Sequence, residues 1–270
     1  MLISKSPEIY RVRLKMPFNL KHINCYAIKG PKGWDIVDAG HNTNDNKKIW
    51  QMFMKQYQIS KSEVRSIYIT HHHRDHFGLA NWLQQITGAP VYVSPEEVES
   101  ISRSLHHSEQ WVMALAEMYR KHGTPPDLAA WLSEEISQIV EYNDCLPQIS
   151  LIENGDIVQL GQYNFRVLQT PGHSDGHISL YNEQQGMMFT GDHLLPDIST
   201  IIGWWPGAHP DPLNDYLKSL QVIKDLFCPI LLPGHGNLFT NMPERIEQLN
   251  THHTEMVNVS VIKFLVSESV

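Results

Sequence analysis

From Ile9 to Leu14 the chain reads IYRVRL, apolar and polar by turns, which is the two-residue period of a strand that buries one face. Further strands are predicted around Asn24 to Ile28 and Trp34 to Val37, and a helix around Asn44 to Tyr57. Ser66 to Thr70 reads as the next strand, a helix follows from about Phe77 to Thr87, and Pro90 to Val93 returns as a strand. The order is strand, helix, strand. From Pro147 the strand pattern resumes, with Gly155-Asp156 and Gly161-Gln162 as turn signals between short apolar runs. Runs at Phe165 to Thr170, Gly186 to Thr190 and Pro229 to Leu232 continue it. Two long helices are predicted over roughly Pro212 to Phe227 and Pro243 to Val266.

The segment from about Ser94 to Cys145 departs from this pattern. It is rich in glutamate, places Trp111, Met113, Leu115, Met118, Tyr119, Trp131, Leu132 and Ile136 at helical spacings, and is broken by Gly123-Thr124-Pro125-Pro126. It reads as a helical insertion (94–145) within an α/β chain that needs no second domain over residues 1–270.

Charge divides the chain more sharply than its net value of −8 suggests. Residues 1–93 carry 13 basic and 6 acidic side chains (net +7), the insertion 3 and 10 (net −7), and residues 146–270 carry 5 and 13 (net −8). Apart from the early basic excess there is no track of the kind nucleic acid requires, so the expected partner is a small molecule rather than nucleic acid. Cys25, Cys145 and Cys228 are widely spaced and odd in number, which suggests neither a disulfide framework nor a thiolate metal site. They read as inert thiols in a reducing cytosol. The first 20 residues lack a sustained apolar stretch, and no run is long enough to cross a bilayer. A cytoplasmic protein with no membrane partner is the expectation.

The chemistry is concentrated at strand ends. Thr70 to Gly78, THHHRDHFG, packs four histidines and a carboxylate into one turn. In an extended segment His71 and His73 point the same way and can share a metal, while His72 points elsewhere. Asp75 and His76, around the turn, can reach a second metal. Three more motifs follow apolar runs: PGHSDGH with His173, GDH with Asp192, and PGHG with His235. Glycine beside each donor lets the backbone approach closely. Imidazole and carboxylate suit Zn²⁺, and Fe, Mn, Co and Ni accept similar donors.

In these motifs and their order the chain resembles the metallo-β-lactamase fold superfamily over nearly its whole length. The resemblance implies an αββα four-layer sandwich, with His71, His73 and His173 as ligands of one metal, Asp75, His76 and His235 as ligands of the other, and Asp192 as the bridge. Asp38, in IVDAG, matches a position that supports the site by hydrogen bonding. Two divalent ions, Zn by expectation with Mn or Fe as alternatives, would bridge a water and supply hydroxide as nucleophile, with Asp75 orienting it. The insertion falls where relatives place helices that shape the substrate site, so it is expected to form a lid or pocket wall, with Trp111 and Trp131 as substrate-pocket residues. His193 reads as a loop histidine ahead of a donor to the leaving group, and His177 as a supporting or structural group. His106, His107, His252 and His253 read as surface histidines.

Departures from subfamily patterns narrow the substrate. Asp192 stands where the commonest dizinc β-lactamases would place Cys, which disfavours antibiotic hydrolysis, and Leu194 and Leu195 follow it where acyl-homoserine lactonases carry Tyr. His73 stands where flavodiiron proteins would have Glu. What remains is similar to the glyoxalase II-like and β-lactamase-like hydrolase group, and an ester or thioester is the expected substrate. A single-strand endoribonuclease or phosphodiesterase is the runner-up. A mononuclear-iron persulfide dioxygenase using His71, His173 and Asp192 is a third reading, and a homodimer stays open.

Overall fold

The structure, a computed structural model, describes residues 1–5, 7–17, 20–105, 109–140 and 145–267. Two sheets form its centre. The first joins β1 (Leu2–Lys5), β2 (Glu8–Lys15), β3 (His22–Gly30), β4 (Gly33–Val37), β5 (Val64–Tyr68), β6 (Val91–Val93) and β7 (Ile149–Leu151) in chain order. It is antiparallel through β4 and parallel from β4 to β7. The second sheet joins β8 (Ile157–Leu160), β9 (Tyr163–Gln169), β10 (Ile178–Asn182), β11 (Met187–Gly191) and β12 (Ile230–Pro233), with β12 parallel to β11 and the other pairs antiparallel.

The two-residue period of the strands decides the layering, because alternate side chains enter different cores. In β3, Ile23, Cys25 and Ala27 face a core shared with α1 (Asn44–Gln56), whose Trp50, Phe53 and Met54 complete it. Tyr26 and Ile28 face a core between the sheets, where they meet Phe165, Val167, Leu180 and Phe189. In the second sheet Met187 and Phe189 join that inter-sheet core, while Met188, Tyr181 and Leu231 turn outward onto α7 (Pro212–Lys224) and α8 (Met242–Ser267). Three cores separate four layers, helix, sheet, sheet and helix.

Between β5 and β6 the chain forms α2 (Arg74–Phe77) and α3 (Ala80–Thr87), where one helix from Phe77 was expected. The split falls at Gly78, whose Cα cannot carry a side chain because a Cβ there would lie 2.3 Å from the Arg74 carbonyl oxygen. The helix expected to reach Phe227 ends at Lys224, capped by Asp225. The segment 94–145 contains α4 (Pro95–Leu105), α5 (Glu109–Lys121) and α6 (Pro126–Val140). Leu115 and Ala129 are buried there, whereas Met113 and Trp131 are exposed. Among the described residues no helix is long and apolar enough to cross a membrane.

One rim of the sandwich is cross-tied. Asn24 of β3 donates from its backbone to the Gly234 carbonyl at 2.7 Å and from its side chain to the carbonyls of Pro233 and Gly236. Tyr26 donates to the Pro233 carbonyl at 2.7 Å. Ile178 of β10 donates to the Thr70 carbonyl at 2.9 Å. These bonds draw the ends of β5 and β12 to the rim, where β9 and β11 also end through their pairing with β10 and β12.

Candidate metal centre

Seven donors converge at that rim in two groups. His71, His73 and His173 form one, and Asp75, His76, Asp192 and His235 the other; within each group the candidate ligand atoms lie within 4.8 Å of one another. β5 delivers His71 and His73, and α2 turns immediately afterwards, its first turn held by the His76 and Phe77 amides on the His73 carbonyl. The turn carries Asp75 and His76 round to the second group. β9, β11 and β12 supply His173, Asp192 and His235 from the loops at their ends.

Four of the five rings are held by one nitrogen so that the other points into the centre. His173 Nδ1 donates to the Ile201 carbonyl at 2.7 Å, with the Thr200 hydroxyl at 2.9 Å, leaving Nε2 to face His71 Nε2 at 3.2 Å. His235 Nδ1 donates to the His22 carbonyl at 2.9 Å, and its Nε2 lies 3.1 Å from Asp75 Oδ2 and 3.3 Å from Asp192 Oδ2. His76 Nδ1 meets Asp38 Oδ2 at 2.8 Å, and its Nε2 faces Asp192 Oδ1 at 3.3 Å. His71 Nδ1 meets the Thr70 hydroxyl at 3.0 Å, and that hydroxyl donates onward to Asp38. Asp38, held at φ 62°, thus orients one histidine of each group.

Electrostatics differ between the groups. Burial lowers the pKa of His71 and His73 well below the ordinary value, and the neighbouring imidazoles add to the effect. Burial lowers His173 too, against the pull of Asp192. These are neutral rings with converging lone pairs. In the other group burial also works against the imidazolium, but the carboxylates outweigh it: Asp192, Asp38 and Asp75 raise His76, and Asp192 and Asp75 raise His235 to about 10. Burial would push the Asp75 carboxyl up, yet His76 and His235 hold it down at about 2.

The donors fit cations. His76 Nε2 and Asp192 Oδ1 are buried, face each other at 3.3 Å and have no hydrogen-bond partner among the described residues, which is costly for buried polar groups unless a cation sits between them. His71 Nε2 likewise faces His73 Nδ1 at 3.1 Å. Asp192 is placed between the groups, its Oδ2 lying 3.7 Å from His173 Nε2 and 3.3 Å from His235 Nε2.

Around the donors, His177 accepts from the Asp192 amide at 3.2 Å and pairs with the Thr170 hydroxyl, which is a supporting position. His193 is fully buried against Tyr216, which argues against its protonating a leaving group. His253 pairs with Ser199, and His106 and His107 lie outside the described residues. A cavity of about 90 Å³ opens beside the three-histidine group, lined by His73 and His173 and by Trp111, Trp205 and Arg103 among others. Trp131, expected there with Trp111, stands 58% exposed on α6 and does not line it. The surface turn of α6, next to the buried Ala129 and Ser133, directs that indole to solvent. Sequence reading did not single out Trp205, Arg103 or the buried Glu97: IIGWWPG carries no period, and nothing in PEEVESISR marks one charge as buried.

Gly234 shows how little room the centre leaves. A methyl there would lie 2.4 Å from Asp192 Oδ1 and 2.6 Å from His76 Cε1, and the Asn24 and Tyr26 bonds keep the backbone from retreating. Gly234→Ala should fold, at a cost of about 1–3 kcal/mol in stability for overpacking. It should fail to retain metal at the Asp75, His76, Asp192 and His235 group. Metal per chain after dialysis, beside a urea titration, checks this; a metal-replete variant would mean the cradle is looser than the distances imply.

Comparison with known proteins places the chain. A family model described as the metallo-beta-lactamase superfamily matches residues 19–235. A Bacillus subtilis (strain 168) protein named probable metallo-hydrolase YqjP is 26% identical over 254 residues, covering 89% of this chain and 75% of that protein. The beta-lactamase-like protein 2 homolog of Caenorhabditis elegans is 30% identical over 241 residues, 87% of this chain, which spans only 63% of the nematode protein. The crystal structure of metallo-beta-lactamase family protein TTHA1429 from Thermus thermophilus superposes with a TM-score of 0.79 at 28% identity, covering 93% of this chain and 81% of that one.

Proposed function

The chain belongs to the metallo-β-lactamase superfamily, and from that membership and the converging donors we propose that it is a hydrolase dependent on two divalent metal ions, acting on an ester or thioester. The observation that carries the reading is the pair of donor groups with Asp192 between them. His71, His73 and His173 would hold one ion, Asp75, His76 and His235 the other, and Asp192 would serve both. Zn²⁺ suits this set of nitrogen and carboxylate donors, as do Mn and Fe. When bound, such ions supply Lewis acidity towards a carbonyl oxygen and a water acidified towards neutrality.

The protein's own groups then do the positioning. Asp75, ionised at neutral pH and partly open to solvent, would accept a hydrogen bond from the attacking water and orient it. Asp38 keeps His76 and, through Thr70, His71 in the tautomers that present lone pairs to the centre. Ser100 and Arg103 of α4 and Trp111 of α5 line the cavity beside His73 and His173, which supports the reading of the helical segment as a pocket wall. A phosphodiester is the weaker reading, because Arg103, the one Lys or Arg among the described lining residues, is paired with Asp175 at 2.7 Å.

Metal content of the purified, unchelated protein by plasma mass spectrometry, beside hydrolysis of ester, thioester, lactone and phosphodiester probes, tests the proposal. About two Zn, Mn or Fe per chain with an ester or thioester preferred supports it. One iron per chain and no hydrolysis would replace it with an oxygenase, and a preferred phosphodiester with a nuclease.

A further inference from the structure

The cavity beside the three-histidine group differs chemically from the centre it adjoins. We propose that it receives an uncharged hydrophobic group of the substrate, a single ring or a short branched chain next to the scissile bond, with Trp111 and Trp205 as specificity-determining residues; the inference rests on the hydrolase reading above.

Its position comes first. The loop after Asp197 bonds His173 Nδ1 through the Ile201 carbonyl and the Thr200 hydroxyl, and the same loop goes on to supply Gly203, Trp205 and Pro206 to the cavity wall. Wall and candidate ligand are therefore one unit, and a group seated on the wall lies against the reacting centre. The Trp205 indole folds back over its own loop: a Cβ on Gly203 would lie 3.2 Å from its Nε1. Trp111 reaches the same cavity from α5, and Pro206 and Pro212 extend the apolar surface. Flat, stiff, apolar walls of this kind favour rings and branched chains over flexible polar ones.

Charge points the same way. Arg103 Nη2 bonds Asp175 Oδ2 at 2.7 Å and the Ser100 hydroxyl at 2.8 Å, and the other oxygen of Asp175 accepts the His209 amide at 3.2 Å. The guanidinium is neutralised within the protein, whereas a substrate bearing carboxylate or phosphate would need cations left open to it. Size sets the limit. The volume of about 90 Å³ is smaller than the roughly 150 Å³ of a closed cavity that takes up benzene, so a ring would be held partly, its outer edge in solvent. The same loop leaves Ile201 74% and Trp204 43% exposed, apolar surface on which a larger substrate can continue.

The test uses the full chain supplied with Zn²⁺ and four esters: methyl acetate, methyl phenylacetate, benzyl acetate and monomethyl succinate. At least one ring-bearing ester should exceed methyl acetate in kcat/KM by about tenfold or more, and monomethyl succinate should not. In Trp111→Ala and Trp205→Ala, each checked for fold by circular dichroism, the ratio of ring-bearing ester to methyl acetate should fall by about tenfold. Preference for monomethyl succinate, or ratios unchanged in both variants, overturns the proposal. Should none of the esters be cleaved, nor the matching thioesters, the hydrolase reading fails, and the cavity is judged by binding alone. Saturation-transfer NMR with 2-phenylacetamide against acetamide should then show ring contact in the wild type that weakens in both variants. Without such contact the proposal falls.

Discussion

Asp192→Ala should keep its fold and lose hydrolysis by about 10³-fold or more, with metal content dropping from about two ions per chain to one or fewer. The size of the effect follows from where the carboxylate sits. Its Oδ1 faces His76 Nε2 at 3.3 Å, and its Oδ2 lies 3.3 Å from His235 Nε2 and 3.7 Å from His173 Nε2, so it approaches histidines of both donor groups. Asp75 reaches histidines of one group only among the ion pairs described. Removing Asp192 leaves three histidines and Asp38-bound His76 without the charge that balances two cations. Asp192→Asn separates charge from shape, because it keeps the volume and one oxygen while losing the negative charge. It should retain more metal than the alanine variant and still fall far below the wild type in rate. A fully active, metal-replete Asp192→Ala protein would remove Asp192 from the shared position and leave the two groups chemically independent.

The candidate site was legible because its donors are consecutive or flanked by glycine at strand ends. THHHRDHFG, PGHSDGH, GDH and PGHG each carry their own turn signal, and none depends on packing to be recognised. Much of the fold was legible for a related reason: β3 and β4 are buried on both faces and largely apolar, and β2 alternates from Tyr10 onward. β1 and β10 escaped. β1 is a short edge strand whose LISK has no buried face, and β10, ISLYN, mixes polar residues into a fully buried position where Ser179 and Asn182 find partners in Thr170 and Asn164. The cavity wall escaped too. Trp205 belongs to a loop without period, and Trp131 follows the same helical spacing as Trp111 yet ends on the opposite side of the packing problem, exposed. Spacing identifies a helix face, and only tertiary contacts decide what that face meets.

Glu97 is the residue for which sequence and structure differ most, and its substitution should weaken one donor group selectively. It lies in PEEVES, where a carboxylate reads as solvated, but its side chain is fully buried. It accepts from the His72 amide at 2.6 Å and from His72 Nδ1, and its other oxygen accepts from the Ser174 hydroxyl at 2.6 Å and the Gly176 amide at 2.9 Å. Burial alone would raise its pKa, yet His72 and these donors hold it at about 2. One carboxylate on α4 therefore clamps the residue between His71 and His73 to the residue after His173, fixing the separation of all three rings. None of its hydrogen bonds among the described residues goes to Asp75, His76 or His235. Glu97→Gln keeps the shape but turns two hydrogens of its amide towards groups that are themselves donors. The expected result is a loss of about 2–3 kcal/mol in stability from charge-assisted hydrogen bonds, and about 10–100-fold weaker metal binding at the three-histidine group. Binding at the other group should change much less. Zn²⁺ titration against a competing chelator would read this as a biphasic curve in which one ion leaves early. A merely structural role predicts instead that both ions weaken together, in step with the fall in stability. Glu97→Asp, with a carboxylate one methylene short, should recover part of the selective loss, since the charge remains to take the four donors even where the reach is incomplete.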